Sequence, residues 1–204
     1  MNAAVPDPEQ LLNLARAGSG QALGQLLEVY RNYLALLARL QIGRRIQGKV
    51  EAADLVQETF LAAHRDFARF RGATEGEFVR WLRQILAGNL TDLVRHYYGA
   101  RRRDVRLECR LADELDRSSR ILTRSLVARG SSPSQQAARR ELAVRLADSL
   151  HALPADYGEV IILHHLQELT FPDVARHMGR SLDSVKKLWV RALARLRRSL
   201  RESA

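Results

Sequence analysis

One cysteine, Cys109, five prolines and two methionines occur in 204 residues. A lone thiol closes no internal disulfide, and without clustered histidines it forms no zinc site. A reducing cytosol suits such a chain, and neither a metal nor a cofactor is expected. No apolar run approaches the roughly 18 residues of a membrane span. Residues 1–10 are polar, carry Asp7 and Glu9, and lack the basic start of an export signal. The expectation is a cytoplasmic protein, neither inserted nor exported. Sustained alternation of apolar and polar residues is also missing, which argues against a sheet.

Catalytic motifs are equally scarce. There is no glycine-rich phosphate loop, no His-Glu-x-x-His, and no serine or cysteine in a nucleophile motif, so an enzyme is not expected. His164 and His165 are adjacent and point about 100° apart on a helix, whereas a metal pair needs a spacing of three or four. One is expected near the core and the other in water.

What the chain does have is helix and positive charge. With 46% hydrophobic residues it can bury a core, and apolar residues recur at three- and four-residue spacing in every long segment. An all-helical fold follows. Lys and Arg number 33 against 23 Asp and Glu, a formal net charge of +10, which points to a polyanionic partner, nucleic acid first. The charge is uneven: residues 1–70 nearly balance, while Arg101, Arg102 and Arg103 and the segment from Lys186 to Arg201 carry much of the excess.

Asp7 and Pro8 form a cap and first-position pair for a short helix that Gly18 and Gly20 end. From Ala22 a longer helix with Leu23, Leu26, Leu27, Tyr30, Tyr33, Leu34 and Leu37 is expected to run until Gly43. A third helix starts near Asp54, with Val56, Phe60, Ala63, Phe67 and Phe70 as its core stripe. Loop 71–77 separates it from a fourth carrying Phe78, Leu82, Ile85, Leu86, Leu90, Leu93, Val94 and Tyr97. Residues 105–140 mix both signs of charge with the Gly130-Ser131-Ser132-Pro133 cluster, and are expected to form a flexible linker that contains some helix. Two small domains, 1–104 and 141–204, result.

The segment from Leu169 to Leu200 is the most specific. Thr170 can cap a helix that accepts Pro172 in its first turn; Gly179 offers a left-handed exit, and Ser181 caps a second helix. That makes a helix-turn-helix. On the second helix Leu182, Val185, Trp189, Ala192, Leu193, Leu196 and Leu200 form a packing stripe, Lys187, Arg191, Arg195 and Arg198 a cationic row, and no acid lies between Ser184 and Arg201. A solvated surface helix carries the same charge row, and so does a membrane-surface helix. The capped first helix and glycine turn favour a major-groove recognition helix instead.

The run Asp-Leu-Val-Gln-Glu-Thr-Phe at 54–60, the pattern Trp81, Asn89, Asp92 leading to Arg101–Arg103, and Leu153-Pro154 before the helix-turn-helix occur in this order and spacing. Together they resemble bacterial RNA polymerase sigma factors of the compact extracytoplasmic-function type, over roughly residues 10–104 and 140–200. The resemblance implies a promoter-specificity subunit whose partners are core RNA polymerase, promoter DNA and, in many relatives, an anti-sigma protein.

By position, Asp54, Gln57, Glu58, Arg65 and Arg69 fall on the helix that docks on polymerase, and their mixed charges suit a helical protein partner. Asn89, Asp92, Arg95, His96, Tyr97, Arg101, Arg102 and Arg103 fall where the family contacts the −10 element, with loop 71–77 at the pocket for a flipped base. Asn89 also lies within an apolar stripe and fits a hydrogen-bonded core amide; Phe78 and Trp81 fit core packing as well as base contact. Arg180, Ser181, Ser184, Lys186, Lys187, Val190 and Arg191 match positions that read the −35 element. Lys187 and Leu188 depart from the family pattern, so the base preference does not carry over. The rival is an autonomous helix-turn-helix regulator, which would bind a palindromic duplex alone and not co-purify with polymerase; no sustained heptads supply its dimer.

Overall fold

The structure, a computed structural model, describes residues 7–45, 51–98, 105–124 and 133–202. Among them all regular structure is helical. The chain divides into two units, Met1–Arg117 and Ser118–Ala204.

The first unit begins with helices α1 (Pro8–Arg16), α2 (Gly20–Val29) and α3 (Arg31–Arg45). Asp7 caps α1 by accepting the Glu9 N–H at 3.2 Å, and Ser19 caps α2 through the Ala22 N–H, also at 3.2 Å. The single long helix expected from Ala22 is broken at Tyr30, whose N–H turns back to the Leu27 carbonyl at 3.0 Å. A long-range contact accompanies the break, because the Tyr30 hydroxyl donates to Glu75 Oε1 at 2.7 Å. Gly43 does not stop α3, which continues to Arg45.

Helices α4 (Ala52–Asp66) and α5 (Glu75–Tyr98) pack on α3, with a turn of 3₁₀ helix, Phe67–Arg69, after α4. Leu26, Leu34, Leu37, Leu82, Leu86, Leu90 and Phe78 are wholly buried, each burial contributing about 1.5–3 kcal/mol. Phe78 is thus a core residue; Trp81 is half-buried, with its ring 5.1 Å from Phe70.

The expected linker is largely helix among its described residues. α6 (Val105–Arg124) buries Leu111, Leu115 and Leu122 at four- and seven-residue intervals that its many charges obscure in the sequence. In the first unit, Arg83 of α5 donates to Asp116 Oδ1 of α6 at 2.7 Å and to the Tyr33 hydroxyl of α3 at 3.2 Å. Only 15% of the Arg83 side chain is exposed, while 42% of the Asp116 side chain meets solvent, which screens the pair.

The second unit holds α7 (Pro133–His151), α8 (Ala155–Ile161), a π-helical turn Ile162–Leu166, α9 (Phe171–His177) and α10 (Leu182–Glu202). α7, α8 and α9 all pack on α10, and the core gathers Leu146, Leu150, Val160, Leu163, Val174, Val185, Ala192 and Leu196. Gly158 permits the close approach of α8 to α7: a Cβ there would meet the Leu150 carbonyl at 3.3 Å. After the π turn Glu168 takes a left-handed φ of 59°, and the Leu169 carbonyl beyond it accepts from His164 Nδ1 at 2.8 Å. No described helix is long and apolar enough to cross a membrane.

Candidate nucleic-acid interface

The helix-turn-helix forms through the short-range chemistry the sequence offers. The Thr170 hydroxyl accepts the Asp173 N–H at 3.4 Å and also donates to the Asp173 carboxylate, which holds that carboxyl below its ordinary range. Gly179 exits α9 at φ 62°, a conformation that favours glycine. Ser181 then caps α10, its hydroxyl accepting the Ser184 N–H at 3.2 Å.

This turn gathers five of the seven residues expected at the −35 contact. Arg180, Ser181, Ser184, Lys187 and Arg191 line one shallow groove, together with Asp183 and Leu188. Lys186 and Val190 lie outside the lining but are exposed on the same helix, Val190 by 59%. Arg180 is anchored by an ion pair to Asp156 of α8, which fixes the turn against the rest of the unit. The packing stripe starts at Val185 and not, as expected, at Leu182, which stands first in the helix and is 41% exposed.

Asp183, absent from the expected contact set, sits inside the groove and pairs with Lys187 at 2.7 Å. Hydrogen bonding to that ammonium holds the Asp183 carboxyl below its usual range. A carboxylate among cations in a recognition groove can accept from a cytosine amino group, and it screens Lys187 until a phosphate competes. Its i,i+4 spacing from Lys187 was the signal in the sequence.

In the first unit the candidates behave differently. Asn89 turns inward: its Nδ2 donates at 3.1 Å to Thr59 Oγ1, which itself donates to the Leu55 carbonyl at 2.7 Å. It therefore does the work of the core amide and locks α5 to α4. Asp92 and Arg95 form an ion pair at 2.9 Å. Arg95 is mostly buried, and its Nε and Nη2 have no hydrogen-bond partner. His96 is exposed; Tyr97 lies in the last turn of α5. Arg101, Arg102 and Arg103 lie outside the described residues.

Loop 71–77 is shorter than expected, because α5 starts at Glu75. A reciprocal cap closes it: Thr74 Oγ1 accepts the Glu77 N–H at 3.3 Å, while Glu77 Oε2 accepts the N–H groups of Ala73 and Thr74 at 2.9 and 3.0 Å. These backbone donors, with the Thr74 hydroxyl, hold the Glu77 carboxyl below its ordinary range.

On α4, Asp54, Gln57, Glu58 and Arg65 are all exposed and fall within an arc of about 100°. Arg65 pairs with Asp66 at 3.1 Å; Arg69, exposed on the 3₁₀ turn, lies 3.8 Å from the same carboxylate. At the centre of the arc stands Leu61, 61% exposed, which the sequence-based site omitted. An apolar side chain ringed by polar ones is the usual layout of a protein-binding patch. Its signal was present, since Leu61 breaks the polar spacing of 54, 58 and 65.

Residues 29–98 match the family model for sigma-70 region 2, and residues 143–196 match that for sigma-70 region 4. The chain is 29% identical over 195 residues to the ECF RNA polymerase sigma factor BldN of Streptomyces coelicolor, covering 96% of this chain but 66% of that protein, just under two thirds. It is 26% identical over 184 residues to the ECF RNA polymerase sigma-E factor of Haemophilus influenzae, covering 90% of each. Among solved structures, CnrH in complex with the cytosolic domain of CnrY aligns over 97% of this chain and 100% of that chain, at 27% identity and a TM-score of 0.37.

Proposed function

The chain belongs to the sigma-70 family, in its extracytoplasmic-function branch, and from that premise we propose that it binds core RNA polymerase, directs it to particular promoters and assists DNA opening. The polymerase performs the chemistry; this subunit supplies recognition. The observation that carries the proposal is the capped helix-turn-helix whose groove gathers Arg180, Ser181, Ser184, Lys187 and Arg191. The groove's cations suit phosphates, and its hydroxyls and carboxylate suit base edges.

The α4 face with Leu61 at its centre is the polymerase-docking surface, and α5 with the arginine cluster after it contacts the upstream promoter element. Opening duplex costs on the order of 1.4 kcal/mol per base-pair step, which capture of the displaced strand offsets. The unmet Nε and Nη2 donors of Arg95 support that role, because a phosphate or base would satisfy them. The units on either side of residues 117 and 118 divide this labour. An anti-sigma protein, which many extracytoplasmic-function relatives bind, is a further expected partner.

The test is reconstitution. The full chain, mixed with core polymerase, should co-migrate on gel filtration and support run-off transcription from a subset of a promoter library. A chain that binds a palindromic duplex tightly by itself and never co-migrates with polymerase would exclude the proposal.

A further inference from the structure

Besides its buried Val185, Ala192 and Leu196, the recognition helix α10 meets the rest of its unit through Trp189, whose ring sits in a cluster with two histidines and a phenylalanine. The Trp189 ring stands 5.4 Å from Phe171, 5.7 Å from His164 and 5.6 Å from His165. His164 in turn stacks on Phe171 at 4.0 Å. Within this cluster the indole Nε1–H donates to His165 Nε2 at 3.0 Å. Indole nitrogen is a donor only, so His165 Nε2 must be bare and its proton must sit on Nδ1. His164 has the opposite constraint, because its Nδ1 faces the Leu169 carbonyl, an acceptor only, and must carry hydrogen. Protonation costs His164 no bond. Protonation of His165 places two N–H groups head to head and breaks its bond to Trp189.

We propose that His165 is a pH-sensing positioning residue: neutral, it seats the recognition helix α10 through Trp189, and protonated, it releases that seat. The proposal rests on α10 being the DNA-reading helix, whose Lys186, Lys187, Val190 and Arg191 lie within three residues of Trp189. Burial, and then the neighbouring His164, push the His165 imidazole below its ordinary range, so the seat is closed at neutral pH and opens in acid.

The charged groups on α8, α9 and α10 are largely paired with one another. From α8, Glu159 pairs with His177 of α9 at 3.6 Å, and Asp156 with Arg180. On α9, Arg176 pairs with Asp173 at 3.2 Å; on α10, Lys187 pairs with Asp183 at 2.7 Å, and Lys186 stands one turn before Trp189. Glu168 follows in the left-handed turn, and Tyr157 of α8 adds a phenol. Among these, His164 is the group whose charge acts on His165.

The chain has two tryptophans, and Trp81, surrounded by Phe67, Phe70 and Phe78, serves as an internal control. With the ¹⁵N-labelled full chain titrated between about pH 7.5 and 5, the Trp189 indole N–H signal should move while that of Trp81 stays. In parallel, anisotropy of a short fluorescein-labelled duplex should show acid weakening binding about five-fold relative to His165→Gln, whose amide oxygen accepts the indole N–H without titrating. Trp189→Phe, which keeps an aromatic ring and loses the donor, should be equally free of the acid effect and serves if the glutamine variant does not fold. A stationary Trp189 signal overturns the proposal, and so does an acid response of DNA binding shared by wild type and both variants. No duplex binding at any pH would overturn the role of α10 in DNA reading, while the Trp189 titration would still decide the latch.

Discussion

The exposed faces of α10 and α4 are built on opposite plans. On α10, cations flank a groove whose one carboxylate, Asp183, is already engaged by Lys187. On α4, acids, an amide and an arginine surround an exposed leucine. A single-sign face draws its affinity from counterion release and therefore depends on salt. A mixed face has little net field, and its affinity comes from desolvating the apolar centre. The net charge of +10 is thus local: it gathers on α10, the face proposed to meet DNA, and is absent from the α4 face proposed to meet polymerase.

The largest expected effect breaks the α10 side of this comparison. Lys187→Ala together with Arg191→Ala removes two charged contacts, each worth about 1.5 kcal/mol. Promoter affinity of the holoenzyme should fall by about a hundred-fold, and the log–log salt slope should flatten by about 0.9 for each phosphate lost. An unchanged slope would mean that neither side chain neutralises a phosphate. Asp183→Asn should act in the other direction, since it frees Lys187.

The second effect tests the α4 side. Leu61→Asp should weaken core-polymerase binding by about 2 kcal/mol, nearly independently of salt, whereas Glu58→Lys on the rim should cost less and respond to salt. Competition for limiting polymerase against the unmodified chain measures both. If the leucine change is silent and the glutamate change dominates, the docking surface is electrostatic and the contrast between the two faces disappears.

How much of each face could be read from the sequence follows from the range of the interactions. Thr170, Gly179 and Ser181 act within three residues of themselves, so the turn between α9 and α10 was legible to the residue. The inward turn of Asn89 depends on Thr59, thirty residues away, and the break at Tyr30 accompanies a bond to Glu75, forty-five residues away. No local pattern announces such partners. α6 was legible only in part for a different reason: its leucine spacing is regular, but interleaved charges of both signs resemble those of a solvated linker and hide how far the helix extends. Leu61 shows a third limit: its break in the polar spacing of 54, 58 and 65 is visible in the sequence, but that the side chain stays 61% exposed is decided by the packing of α4.

The smallest effect separates the two capped loops. Glu77 closes loop 71–77 with three hydrogen bonds, two of them from backbone N–H groups, while Asp173 leans chiefly on the Thr170 hydroxyl. Both carboxyls lie below their ordinary ranges when folded, so each binds its proton less readily in the folded chain than in the unfolded one. The stability each adds is therefore complete above the unfolded carboxyl range and is lost as pH falls through that range toward the folded value. Glu77→Gln retains an acceptor and cannot titrate. Its Tm should lie below that of the unmodified chain at neutral pH, and the two should converge in acid. Asp173→Asn should do the same for the second unit, with Trp81 and Trp189 fluorescence reporting each unit separately. Melting curves that stay parallel through the acid range would show that the Glu77 cap survives protonation, leaving loop 71–77 to be shaped by the aromatic cluster of Phe67, Phe70 and Trp81 instead.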